Sequence, residues 1–163
     1  MTFSRESRSL ILLTIATAVL LSLLPVPALL SPLKPYWVAL VMIYWSLETR
    51  AMINLGLAFL VGLVLDILSG SLLGMHALSL VVMVFLVQRF RPRLRFFPPW
   101  QQAFSVLLLL VNDRIILSWI TALLGEPMPT WKYWLPPLIG VAIWPWLFLL
   151  LDSLRARMRR HKT

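Results

Sequence analysis

Ionisable side chains set inside long apolar runs are the residues most able to do chemistry in this sequence, because each is costly to bury. Asp66 comes first. It shares a stripe with Asn54, Ala58 and Gly62 at successive i+4 steps, continuing to Gly70, so one helix face is small and polar. Two readings compete for that face. One is a helix–helix packing seam, since small residues let backbones approach closely. The other is a ligand or proton site with Asp66 as its charge. Packing is favoured, because one carboxylate without a second acid or a metal makes a poor reaction centre. His76 follows across a short turn at nearly the same depth. An Asp66–His76 pair would help neutralise the carboxylate and tie two helices together. Zinc is not expected, since the other histidine, His161, lies in a basic tail.

A second cluster, Asn112-Asp113-Arg114, stands near the middle of another apolar run. Adjacent helical residues point about 100° apart, so Asp113 and Arg114 cannot both face one partner directly. Either these residues form a polar knot that fixes the helix against its neighbours or a partner's helix, or they line a water-filled cavity for substrate. The knot is favoured, because an acid and a base together leave no net charge to drive transport. Arg114 reaching Asp66 is a further option, with the two about 10 Å apart in depth. No phosphate-binding glycine loop, nucleophile elbow or His-Glu-x-x-His is present. Enzymatic activity is not expected, nor is a cofactor or metal. With no cysteine, disulfides and thiol chemistry are excluded.

The elements that carry these residues are membrane helices. Of 163 residues, 60% are hydrophobic and 13% charged, with mean hydropathy +0.87; a soluble domain holds roughly a quarter charged. Apolar runs cover about 9–24, 36–47, 51–68, 75–87, 103–124 and 135–151. They predict one bundle of about six spans over the whole chain, with a basic cytoplasmic tail at 152–163. Spanning roughly 30 Å takes about 20 helical residues, so 36–47 is short, and a re-entrant segment is the alternative there. Alternation is absent, which argues against strands.

Charge sets the orientation. With the N-terminus inside, 12 of the 15 basic residues fall on cytoplasmic segments: Arg5, Arg8, Arg50, the stretch Arg89 to Arg95, and the tail from Arg155 to Lys162. Lys34 and Lys132 fall outside. The Arg89–Phe97 segment, expected as a loop, suits anionic lipid head groups; with topology alone requiring such residues, nucleic acid is not implied. Arg5 and Arg8 before an apolar stretch and Val26-Pro27-Ala28 also resemble a cleavable signal. An uncleaved anchor is preferred, since the apolar stretch is slightly long for a signal.

Tryptophans mark the boundaries in part. Trp37, Trp131 and Trp134 sit near the outer edge, with Trp45 and Trp100 near the inner one. Trp144 and Trp146 bracket Pro145 deep in the last run. A kink is expected there, with one tryptophan packed inside and the other facing lipid or a partner helix.

The turn joining the third and fourth runs reads Gly62-x-x-x-Asp66-x-x-Ser69-Gly70-x-x-Leu73-Gly74. With Asp113 in the fifth run, Trp144-Pro145-Trp146 in the sixth and a basic tail after it, the whole chain resembles the MreD family of bacterial rod shape-determining membrane proteins. By position, the family's characteristic residues would be Asp66, Ser69, Gly70, Gly74, Asp113, Trp144 and Pro145. The resemblance implies a non-enzymatic inner-membrane subunit of the cell-elongation machinery. Its implied partners are an MreC-like bitopic protein, a RodA-type glycosyltransferase with its transpeptidase, and MreB through the complex. It also implies similarity in fold to the six-helix substrate-binding subunits of energy-coupling-factor vitamin transporters. From that come two alternatives: a vitamin-like substrate-binding subunit, or a binder of lipid-linked wall precursor.

Overall fold

The computed structural model describes residues 5–49 and 52–160, without the side chains of residues 5–7 and 159. Arg50, His161 and Lys162 therefore lie outside the described residues. Six α-helices account for the fold: α1 Arg5–Leu23, α2 Trp37–Glu48, α3 Leu55–Ser69, α4 Met75–Leu94, α5 Pro99–Leu123 and α6 Leu135–Arg160. Short 3-10 turns at Ser31–Leu33 and Trp131–Trp134 lead into α2 and α6.

α2 is the axis of the bundle. Its sequence is apolar on every side, the pattern of a helix surrounded by protein, and Val38 to Leu47 are buried without interruption. It packs against α1, α4 and α6. Trp45 Nε1 donates to Thr14 Oγ1 of α1 at 2.9 Å, and the Tyr44 ring meets Phe148 of α6 edge-on at 5.4 Å. At 1.5 Å per residue its 12 residues are about 18 Å long, less than the hydrocarbon thickness. Protein encloses it along its length.

The periphery is apolar outward. Leu13, Leu20, Ile67, Phe104, Trp146 and Leu149 are all exposed, on a scale that water would not tolerate. Pro99–Leu123 and the continuous helical stretch Trp131–Met158 are long and apolar enough to cross a membrane. α1 from Arg8 and α3 are shorter apolar helices. The molecule is a helical membrane bundle.

Several element ends differ from the apolar runs, α1 and α5 starting earlier, at Arg5 and Pro99. α3 begins at Leu55 because Asn54 caps it, its Oδ1 accepting from Leu57 N at 2.8 Å; Asn54 thus stands before the stripe that Ala58, Gly62 and Asp66 form. α4 continues through the basic stretch to Leu94, where a loop was expected from Arg89. Arg91 and Arg93 in its last turn favour helix there by complementing the helix dipole. α6 runs through Pro145 and on through the basic segment to Arg160.

Candidate functional site

Both ends of the bundle hold polar clusters. The end formed by residues 24–36, 70–74 and 124–134 carries the residues singled out above. Asp66, in the last turn of α3, is fully buried and reaches across to the start of α4. Its Oδ2 accepts from Gly74 N at 2.8 Å and its Oδ1 from His76 N at 3.0 Å. Ser71 Oγ donates to Oδ1 at 2.9 Å, and His76 Nδ1 lies 2.8 Å from the same oxygen. A buried carboxylate on the unsatisfied amides of a helix N-terminus is favoured by hydrogen bonding and by the dipole together. Asp66 is a clasp from one helix to the next.

The turn is built to present those amides. Gly70 ends α3 in the left-handed region (φ 65°), and its N–H and that of Ser71 return to the Asp66 carbonyl, a Schellman-type stop. Gly74 (φ 98°) precedes α4. Ser69 Oγ bonds back to the Leu65 carbonyl; Ser71 supplies the hydroxyl of the clasp. Above the clasp the helices touch backbone to backbone. A Cβ on Gly62 would sit 2.2 Å from the Ala77 Cα.

Asp113 of α5 is also fully buried. Ser79 Oγ of α4 donates to its Oδ1, while Oδ2 and the neighbouring Asn112 Nδ2 are buried without a hydrogen-bond partner in the described residues. This pair joins α4 to α5. Arg114 turns elsewhere. Its guanidinium lies 4.8 Å from the Tyr133 ring centroid and 6.0 Å from that of Tyr36, within cation–π range. Tyr133 Oη also donates to the Arg114 carbonyl at 3.1 Å. The structure does not bring Arg114 to Asp66, because the clasp already surrounds that carboxylate with donors. Instead Arg114 lines a cavity of about 520 Å³ with Lys34, Tyr36, His76, Lys132 and Tyr133.

Trp144 and Trp146 lie on opposite sides of α6, away from these clusters. Trp144 is 1% exposed and Trp146 75%. Trp144 Nε1 donates to Gln102 Oε1 of α5 at 3.3 Å, and Pro145 continues the helix between them. Among the described residues no group of three His, Asp or Glu side chains could hold a metal ion.

The opposite end of the bundle holds a cluster that sequence reading passed over. Glu48, the last residue of α2, pairs with Arg155 of α6 and lies 4.0 Å from Arg95. Arg91 Nε donates to the Leu47 carbonyl at 2.6 Å, and Gln88 Nε2 donates to the Ile53 carbonyl. These cations close the C-terminus of the central helix, where its dipole is negative. The available signal was an acid at the C-terminal end of a very apolar helix amid basic segments. Ser71, Ser79, Tyr36 and Tyr133 were likewise missed, since neither lone serine hydroxyls nor aromatics at boundaries stand out by type.

Comparison with known proteins gives the family. The family model described as rod shape-determining protein MreD matches residues 4–154. The rod shape-determining protein MreD of Haemophilus influenzae is 32% identical over 144 residues, covering 88% of this chain and 89% of that protein. No solved structure matches the chain. A family match over nearly the full length and a relative of this identity place this chain in the MreD family of rod shape-determining membrane proteins.

Proposed function

We propose that this chain is a non-enzymatic scaffold of the cell-elongation complex, holding an MreC-like bitopic protein and, through it, a RodA-type glycosyltransferase with its transpeptidase and MreB. The observation that carries the reading is how Asp66 is used. Its two oxygens face amide, hydroxyl and imidazole groups of the next helix turn, which suits a residue that shapes a surface rather than one that turns over substrate. Family membership supports the role in rod shape. In this reading all six helices cross the inner membrane, with both termini and the Glu48 cluster on the cytoplasmic side and the Asp66 turn near the outer face.

A second reading, favoured by the cavity beside Arg114, is a vitamin-like substrate-binding subunit of a transporter or a binder of lipid-linked wall precursor. Co-purification from native membranes in mild detergent separates the two. Recovery of a bitopic coiled-coil protein with wall synthases is the expected result; recovery of paired ATPases with a membrane coupling subunit contradicts the scaffold. Reporter fusions test the topology: residues 95–99 should report inside and 125–134 outside, and a periplasmic signal from a fusion at Arg93 overturns the orientation.

A further inference from the structure

We propose that the cavity walled by Lys34, Arg114 and Lys132 is a binding site for a phosphate-bearing anion. Three permanent cations converge there from separate parts of the chain: the segment entering α2, the middle of α5, and the turn before α6. Its lining contains no carboxylate among the described residues. Neither buried acid nearby lines the cavity: Asp66 is taken up by the α3–α4 turn, and Asp113 gives one oxygen to Ser79. Arg114 has rings on its guanidinium and no ion pair with a carboxylate among the described residues. An arginine so placed holds its planar group in one orientation, the state in which it recognises phosphate best.

Charge decides the ligand class. Lys34 is partly satisfied, since its Nζ donates to the Ser22 and Leu24 carbonyls at the end of α1. Arg114 and Lys132 still make the cavity strongly positive, with His76 on the same wall. A phosphate monoester carries about −1.5 to −2 at neutral pH and matches two to three cations better than a single carboxylate. The volume of about 520 Å³ lies in the range of small-molecule sites. The same phosphate chemistry could be presented by the head group of an anionic phospholipid or by a soluble phosphate compound. The proposal rests on the second reading above for its biological meaning, but binding itself depends on neither topology nor complex assembly.

The test uses the full chain purified in dodecyl maltoside, which contains no phosphate. One arm titrates inorganic pyrophosphate by calorimetry. The other adds phosphatidylglycerol or an uncharged glycolipid and counts retained lipid by native mass spectrometry. Saturable one-site binding of pyrophosphate supports the site with a soluble source. Selective retention of one phosphatidylglycerol, without pyrophosphate binding, supports it with a lipid source. In either case Lys132→Gln, at an exposed position, should leave the melting temperature unaltered and weaken binding about tenfold, the worth of one charge-assisted contact. Arg114→Gln should weaken it at least as much. Absence of saturable binding by both probes overturns the proposal, as does binding that Lys132→Gln and Arg114→Gln leave unchanged. Cell shape is not read in either arm, so failure of the scaffold reading leaves this result intact.

Discussion

Two buried aspartates of the same type call for opposite expectations. Both Asp66 oxygens receive donors, including the amides of Gly74 and His76. Asparagine there must point its NH2 at one of these donors, whichever way the amide is turned. Asp66→Asn is therefore expected to destabilise the protein by about 1–3 kcal/mol, the usual cost of an unsatisfied buried group. Asp113 differs, since Ser79 donates to one oxygen while the other has no partner in the described residues. Asp113→Asn retains the Ser79 bond and removes a buried charge, so its melting temperature should equal or exceed that of the unaltered protein. Thermal unfolding of both variants in detergent decides the matter; equal losses would contradict the assignment. Tyr36 follows the same logic. Its Oη is buried without a partner among the described residues, so Tyr36→Phe should be neutral or stabilising by up to about 1 kcal/mol.

At the scale of elements, the α3–α4 contact depends on the absence of a side chain at Gly62. Gly62→Ala would drive a Cβ into the Ala77 backbone, and with no flexible group there to yield, a loss of about 1–3 kcal/mol is expected. Gly56→Ala is the control. Its Cβ would meet Asn54 Oδ1 at an ordinary 3.4 Å, so the gain in helix propensity of up to about 1 kcal/mol should prevail. Membrane levels and melting temperatures of the pair measure this; the same sign for both would refute the close-contact account. α6 gives a parallel contrast. Trp144→Ala removes a buried ring and its bond to Gln102, at about 3–5 kcal/mol. Trp146→Ala should leave stability nearly unchanged, so any effect on partner recovery would mark Trp146 as partner-facing.

Much of this was legible in the sequence, and the limits were physical. The Asp66–His76 clasp spans ten residues and one turn, so spacing alone pointed to it. Trp144 and Trp146, bracketing one proline, had to lie on different faces of any helix. By contrast, Ser79 meets Asp113 across 34 residues, and Arg155 meets Glu48 across 107. Such pairs follow from the order in which helices pack, which apolar runs of similar composition do not encode. The burial of α2 was also hidden. Its shortness leaves a short span and a re-entrant segment both open, and neither reading foresees a helix enclosed by its neighbours.

For the whole molecule, the two polar ends serve the same physical need. A central helix of about 18 Å must have its terminal groups satisfied by protein, because hydrocarbon offers none. Arg91 does this at the C-terminus of α2, donating to the Leu47 and Glu48 carbonyls, and at the opposite end of the bundle Lys34 does the same for the carbonyls that end α1. Glu48→Gln strands a partly buried Arg155, and a loss of about 1–3 kcal/mol is expected, below that of a fully buried pair. It should show as a lower melting temperature, rescued in part when Arg155→Gln is added; a deeper loss in the double variant would contradict the pairing.

The central claim is that the family's buried acid shapes a scaffold surface instead of acting on a ligand. Its most direct test is the amount of MreC-like partner recovered with the Asp66→Asn protein from cell membranes, set beside cell width in the same cells. The account predicts that partner recovery falls with the level of folded protein, and that cells widen in proportion. Full partner recovery with rod shape abolished would contradict it, because the charge itself would then be required.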